Sequence, residues 1–563
     1  MKKPIERTRA QESRAAIERL YIAMRHLFIR GNYKPLGLSG EAMIEAMRTL
    51  EPEIYGSIND PERVELEGLL YVLQRLPQGI EECRYVRLIS REGFEHSSFQ
   101  PIVPAKRRRN CYRIDQEQMF IEMTRGRSDI YDILTHLTFL YIEAEKIRTN
   151  ALDGKGRKKR DWLMLEKIIE REERGEDFNR EMAYTYLSTL LGRTFDETAA
   201  AARRFEQSPG VNSLFHIAYW LGLRSMEEAM DQNDREISFS SALRERVGHH
   251  VYGEMWADNI KAFLYKNDLL GRPLHIISSN LHSVMNALYA HAALKEQQPH
   301  ESLEDLAVQL SQSSAEALRR TVFEFACQNG MTQLDDTSGT NISVQIFDSA
   351  HLDPHMLPPE LQSFGEQLQK ERPVLLVMDY AFGEQAFETM DELLKPFENG
   401  GQTHPLPVES ISIMGKAGIL EGKKGDLMIP TAHVFEGTAD NYPIENQFRA
   451  SDFEGQGLQV FEGPMITVLG TSLQNRDILR YFLKSSWRAV GLEMEGAHYQ
   501  KAIQSAARIR ASIRPDVRLR YAYYASDNPL VSGQTLASGS LGMDGVKPTY
   551  LITLKILQQI LGD

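Results

Sequence analysis

An α/β C-terminal domain behind a mainly α-helical N-terminal domain is the architecture this sequence predicts, on three observations. From Ile17 to about Asp268, apolar residues recur mostly at three- and four-residue steps, the period of a helix with one buried face. From Leu274 onward, short apolar runs rich in Ile, Val and Leu alternate with such helical stretches, the pattern of a sheet flanked by helices. The chain has 563 residues, more than one hydrophobic core normally serves, so at least two domains are expected. The change of character falls at Gly271-Arg272-Pro273, and the domains are drawn as 1–268 and 269–563.

In the first half the clearest helix covers 128–147, where Ile133, Leu137, Leu140, Ala144 and Ile147 share a face behind a Ser128-Asp129 cap. Segments 162–171 and 182–191 read the same way. The stretch 150–160, rich in Gly and Lys, reads as an exposed loop. No fixed-period repeat is visible, which speaks against a solenoid.

In the second half Leu274-His275-Ile276-Ile277-Ser278 predicts a short buried strand, and Asn280 caps a helix through Leu288. Ile342, Val344 and Ile346 alternate as a strand should. Strands follow at 374–378, 411–414, 427–429, 465–469 and 519–525, with helices from Glu384 and over 475–483. Whether 274–348 joins the same sheet stays open. In such sheets ligands bind beyond the carboxyl ends of the strands, and most of the candidate residues below fall near such ends.

Composition narrows the function. Hydrophobic content of 42% and charged content of 25% describe an ordinary globular protein. A net charge of −13 argues against a dedicated nucleic-acid binder. Two basic runs, Lys106-Arg107-Arg108-Arg109 and Lys155-Gly156-Arg157-Lys158-Lys159-Arg160, read first as solvated loops, with a patch for phosphates or a partner as the alternative. The scattered Cys83, Cys111 and Cys327 fit reduced thiols. The N-terminus lacks the apolar stretch of a signal peptide and no uncharged apolar run reaches membrane-spanning length, so a cytoplasmic protein without a membrane partner is expected. None of the pairs His249-His250, His275 with His282, or His351 with His355 lies in an HExxH or cysteine-containing cluster, and no metal site is expected. His136 reads as a partly buried histidine with a satisfied hydrogen bond. No P-loop or dinucleotide fingerprint is present.

The chemistry concentrates in 372–563. There a strand ends in Met414-Gly415-Lys416-Ala417-Gly418, and Gly425-Asp426-Leu427-Met428-Ile429-Pro430 follows. Gly491-Leu492-Glu493-Met494-Glu495-Gly496-Ala497 comes next, then Tyr524-Ala525-Ser526-Asp527-Asn528-Pro529. Two acids around one methionine, with a separate aspartate behind a serine, are an inventory for cleaving a sugar–nucleobase bond. One carboxylate holds sugar hydroxyls and one acid protonates the departing base. The Glu-Met-Glu segment alone would also read as a helix N-terminus decorated with acids.

In this order and at these spacings the segment resembles the purine nucleoside phosphorylase and nucleosidase superfamily over about a third of the chain. Gly415–Gly418 is similar to that superfamily's glycine turn, and the Ser-Asp-x-Pro-Leu form at 526–530 is similar to AMP nucleosidases. The resemblance implies a mixed sheet flanked by helices and a small-molecule purine nucleoside or nucleotide as ligand. It implies a homo-oligomer and no metal or organic cofactor. It implies that Glu495 accepts hydrogen bonds from the ribose hydroxyls while Met494 packs on the sugar, with Gly415, Lys416 and Gly418 along the ligand. Asp527, positioned by Ser526, would protonate N7 of the base, and Glu493 would orient neighbours or a nucleophile. Phosphorylases hold phosphate with arginines near the glycine turn and in the first strand–helix loop. Here Ile413 stands two before Gly415 and residues 379–384 contain no arginine. Glu384, five residues after Asp379, falls in the region of a water-activating glutamate, with an ordinary first-turn glutamate after Gly383 as the alternative, and hydrolysis is expected.

Lys416 replaces a usual small hydroxyl residue; it would neutralise a substrate phosphate, bind a carboxylate or pair with Asp426. Arg449 and Arg476 are further phosphate candidates. Tyr380, Phe382, Phe435 and Tyr442 are candidates for stacking on the base. The expected activity is hydrolysis of a purine nucleoside or nucleotide, with AMP among the candidates. A phosphorylase and a non-catalytic nucleotide-binding or scaffold protein are the alternatives.

Overall fold

The structure, a computed structural model, describes residues 8–231, 234–295, 302–438, 440–531 and 541–562. The chain forms two units, Met1–His249 with Ser472–Ile478, and His250–Thr471 with Leu479–Asp563. The second begins ahead of residue 269 because helix Val251–Lys266 supplies Trp256, Ile260 and Leu264 to its core.

In the first unit, helix Gly126–Ala151 is buried along most of its length and packs on helix Leu214–Asp231. It begins two residues before Ser128, and Arg125 at its head makes no side-chain cap bond. Ser128 and Asp129 are therefore buried inside the first turn rather than capping it. Arg160–Glu173 and Arg180–Leu191 are helices, matching their three- and four-residue periods.

Helical periodicity predicts no sheet here, yet the described residues of the unit carry six strands: β1 (Asn32–Tyr33), β2 (Tyr85–Ile89), β3 (Pro101–Ile102), β4 (Cys111–Arg113), β5 (Gln118–Glu122) and β6 (Glu236–Phe239), in the order β1-β6-β2-β5-β4-β3. β2 runs parallel to both β5 and β6. Strands of two to five residues are too short for a two-residue alternation to stand out.

The second unit holds β7 (Leu274–Ser278), β8 (Met331–Leu334), β9 (Val344–Asp348), β10 (Val374–Met378), β11 (Phe397–Asn399), β12 (Gln402–His404), β13 (Val408–Ile419), β14 (Leu427–Phe435), β15 (Asn441–Pro443), β16 (Val460–Thr467), β17 (Gly491–Glu493) and β18 (Arg518–Asp527). All except the β11–β12 hairpin join one ten-stranded sheet, so the strands within 274–348 belong to it. β7, β10 and β13 are parallel neighbours in the order β13-β7-β10. β13, β18, β14, β16 and β17 pair in a closed circuit.

Alternation divides the side chains between two cores. Ile276, Leu376, Ile411 and Tyr521 lie under helices Val251–Lys266, Gln385–Leu393 and Gly496–Gln504. Ile277, Leu375, Val377 and Ala522 lie under Leu281–Ala293 and Val546–Gly562. Asn280 caps Leu281–Ala293 by accepting from Ser283 N. Among the described residues no helix is long and apolar enough to cross a membrane.

β17 closes the circuit at Gly491, where an added Cβ would stand 2.4 Å from Met428 Sδ and 2.6 Å from Gly418 O. The backbone oxygen cannot swing away. Gly491→Ala should therefore lower the stability of the second unit by about 1–3 kcal/mol, measured by chemical denaturation; an unchanged midpoint would show that the circuit yields there.

Candidate active site

β13 is longer than either neighbour on one of its edges, and that mismatch creates the site. Residues 408–413 of that edge pair with β7, and Gly418–Ile419 pair with β17. Among the described residues no strand pairs with this edge over 414–417, which leaves an opening in the sheet. β7 and β10 end beside it at Ser278 and Met378, and β17, antiparallel to β13, runs toward it.

Glu493, Met494 and Glu495 follow from the end of β17 into helix Gly496–Gln504. Thr467, at the end of β16 and paired with Glu493, donates its hydroxyl to Glu493 Oε1 at 2.5 Å and accepts from Ala497 N at 3.0 Å. The backbone N–H groups of Glu495 and Gly496 donate to Glu493 Oε2. Burial, and then the charge of Glu495, push the Glu493 carboxyl up to about 8 against these bonds. Glu495 is half-buried, and its Oε1 accepts from Gly383 N at 2.9 Å in the loop after β10. Glu384, next to Gly383, heads helix Gln385–Leu393 and is half-buried. The loop after β10 and the Glu-Met-Glu segment thus meet. Tyr499, one turn beyond Glu495, ties the same helix to the end of β7 through Ser278 Oγ at 3.0 Å. Gly496 has no room for a side chain: a Cβ would lie 2.2 Å from His433 Nε2.

Asp527 ends β18 and is fully buried. Ser526 donates to its Oδ1 at 2.6 Å, while Oδ2 meets no hydrogen-bond partner. Burial raises its pKa, against the Ser526 bond and the charges of Lys416 and Lys424. A bulge at Ser526 aligns Ala525 with Ala417 but Asp527 with Gly418. The extra residue turns Asp527 onto the face of Lys416 and Gly418, away from that of Tyr523. Tyr523 lies instead within the field of Glu493 and Glu495. Gly418 pairs with Leu492 of β17 and with Asp527 of β18, so the two acid-bearing strand ends reach the same point of β13.

The Gly415-Lys416-Ala417-Gly418 segment is not a turn. It continues β13 to Ile419 and pairs with β18, because Tyr523–Ala525 give its backbone a ladder that two glycines alone do not foretell. Met494 is buried. Lys416 is exposed and does not pair with Asp426, whose carboxylate accepts from Lys423 N and Gln459 N. Arg476 belongs to the first unit, 3.4 Å from Glu53, and Arg449 is exposed beyond β15. Phe435 packs edge-on against Tyr442 and against His498, centroids 6.1 and 4.9 Å away. Thr467, Gly383 and Tyr499 escape a sequence reading because their roles depend on contacts between distant strands and loops.

Among the described residues, atoms of Glu81, Glu82 and His216 lie within 4.8 Å of one another, a spacing that suits a metal. His216 Nε2 is 3.0 Å from Glu82, Asn212 donates to Glu81 and Arg113 to Glu82, so these contacts already account for the cluster.

A family profile described as Family of unknown function (DUF6909) matches residues 41–307 and 305–562. The chain belongs to this family. No curated protein matches it. Solved structures with similarity to this family member include futalosine hydrolase of Helicobacter pylori strain 26695, at 12% identity over 51% of this chain and 98% of that one, TM-score 0.30. They also include 5'-methylthioadenosine/S-adenosyl homocysteine nucleosidase of Campylobacter jejuni, at 10% identity over 52% and 98%, TM-score 0.29. AMP nucleosidase of Bacteroides thetaiotaomicron VPI-5482 matches at 14% identity over 55% and 99%, TM-score 0.29. Scores this low carry no weight for function.

The raised Glu493 pKa makes stability depend on pH. Unfolded, the carboxyl titrates near 4.5; folded, near 8. The stabilisation of the neutral form is complete below 4.5 and is lost as pH rises toward 8. Glu493→Gln cannot ionise, so it should flatten the fall in stability across that window, followed by denaturation at a series of pH values. An unchanged slope would show that Glu493 is ionised in the folded chain.

Proposed function

We propose that the chain hydrolyses the N-glycosidic bond of a purine nucleoside or nucleotide. The observation that supports this reading most is that β17 and β18, both paired with Gly418 of β13, lead to Glu495, held by Gly383 N, and to the buried, half-satisfied Asp527. A nucleoside bound at these strand ends would offer its ribose hydroxyls to Glu495 and its base to Asp527. Burial keeps a proton on Asp527 at higher pH than an ordinary aspartate, and its unpartnered Oδ2 is the atom to give that proton to N7. As the C1′–N9 bond breaks, the sugar gains positive charge, which the Glu495 carboxylate stabilises more than it does the ground state. Water adds to C1′ and loses its proton to Glu384, the acid beside Gly383. Glu493, its carboxyl occupied by Thr467 and two backbone N–H groups, fixes the segment's shape. Lys416, exposed on the Asp527 side, favours a ligand that carries an anionic group, such as AMP.

Incubation with adenosine, inosine, methylthioadenosine and AMP, with and without phosphate, should release free base without requiring phosphate. A phosphate requirement would make the enzyme a phosphorylase. Asp527→Asn and Glu495→Gln should each slow release about 100-fold. Binding without turnover, unaffected by Asp527→Asn, would mean a nucleotide-binding protein instead.

A further inference from the structure

At the other end of the ten-stranded sheet from the candidate active site lies a cavity of about 310 Å³. β10, β7, β13 and β18 stand side by side and run the same way. Their carboxyl ends lie at the candidate active site; their amino ends meet here, where Pro273, Pro373, Glu409 and Arg518 line the cavity. One rung of the sheet, Leu375–His275–Ser410–Arg518, crosses all four strands, and the side chains of a rung share a face. Helix Gly365–Glu371 adds Gln367, Leu368 and Glu371 to the lining, and the end of helix Val546–Gly562 adds Leu561.

His275 is the lining residue that calls for a ligand. It is 4% exposed, and its Nδ1 lies 2.7 Å from Ser410 Oγ. Among the described residues nothing else bonds the ring, and its Nε2 opens on the cavity rather than being sealed in packing. Burial, then the charges of Arg520 and Arg518, push the imidazole down to about 3, so the ring is neutral. A serine hydroxyl both donates and accepts, so Ser410 can hold the tautomer that carries its proton on Nε2. Polar atoms this deep are nearly always bonded; this one takes its partner from the cavity.

The cavity also has a polarity. His275 is more deeply buried than Glu409, Arg518 or Glu371 and marks the floor. There the field is positive, set by Arg518 and by the buried Arg520, whose Nε donates to Gln559 Oε1 at 2.7 Å. A ligand atom facing Nε2–H at the floor is therefore an acceptor. The rim carries two carboxylates: Glu409, half-buried and 2.5 Å from Arg514, and the exposed Glu371. These accept from N–H groups of a ligand. The rim acids disfavour an anion and the positive floor disfavours a cation, which leaves an uncharged molecule with a dipole. Between the two ends Pro273, Pro373, Leu368 and Leu561 form apolar walls, surfaces that suit a flat ring.

We propose that this cavity is a second ligand site, for a small uncharged nitrogen heterocycle with an acceptor on one edge and an amino group on another, the chemistry of an adenine or cytosine base. The acceptor takes the hydrogen bond of His275 Nε2–H, and the amino group donates to Glu371 or Glu409. Gln367, whose amide both donates and accepts, meets a mixed edge. Hypoxanthine and uracil carry a carbonyl in place of the amino group, which would set acceptor against acceptor at the rim. The inference stands whether or not the chain cleaves nucleosides.

Calorimetric titration of the full-length chain with adenine, cytosine, hypoxanthine and uracil is the test. Adenine should bind about tenfold more tightly than hypoxanthine, and cytosine than uracil. His275→Phe, which keeps the ring and removes Nε2, should weaken adenine about tenfold, with the melting temperature read alongside. Glu371→Gln, at an exposed position, should weaken it by a smaller factor and carries the test if His275→Phe does not fold. Asp527→Asn, at the candidate active site, should leave this binding in place, and an absence of base release in the hydrolysis assay would not alter it. Binding lost in Asp527→Asn and unmoved by Glu371→Gln would place the base at the candidate active site and overturn the proposal. Equal affinity for adenine and hypoxanthine would overturn it too, as would no binding of adenine or cytosine at millimolar concentration.

Discussion

The second unit depends on how one edge of β13 is shared. A strand of that length has more backbone N–H and C=O groups on an edge than β7 alone can pair, and each unpaired buried group is costly. β7 takes the first part and β17 the last. Antiparallel β17 delivers Glu493, Met494 and Glu495 to the stretch left over, and the hydrogen bond from Gly383 to Glu495 fastens them to the loop after β10. Strand length thus becomes a place where polar groups face something other than protein. The same handover brings Ser278, through Tyr499, against the helix that follows the acids.

Much of this was legible in the sequence where the signal is local. β10 is a continuous apolar pentad and β7 carries Leu274, Ile276 and Ile277, and the structure gives both the expected bounds. Asn280 caps its helix as a side-chain oxygen before an apolar run should. β13 and β14 run well beyond 411–414 and 427–429, because Gly415-Lys416 and Pro430-Thr431 interrupt the apolar pattern while the neighbouring ladders carry the strands through. Glu493, Glu495 and Asp527 were visible as acids near strand ends. Their settings were not: Thr467 reaches Glu493 only through the β16–β17 pairing, and the Ser526 bulge exists only against β13. In the first unit, the long helix starts before its Ser-Asp pair since tertiary burial of both outweighs their capping preference.

Charge is handled in opposite ways in the two units. The second buries Glu493 and Asp527 without a cation bonded to either, so each favours its neutral, proton-carrying form. The first pairs its buried charges, as in Glu228 with Arg235 at 2.5 Å, Glu143 with Lys146 at 2.9 Å and Arg109 with Asp129 at 2.7 Å. Buried carboxyls held without a cation, as Glu493 and Asp527 are, concentrate at functional sites.

The brevity of β17 has its own consequence. Three residues complete the five-strand circuit, so this seam is held by far fewer backbone bonds than the long ladder between β13 and β18. Local opening follows the cheapest set of bonds. The seam would part while the rest of the sheet stays zipped, releasing both glutamates together. Amide hydrogens at 491–493 would then exchange ahead of those in the β13–β18 ladder, and a ligand gripped by Glu495 would act as the rivet that holds the cylinder shut.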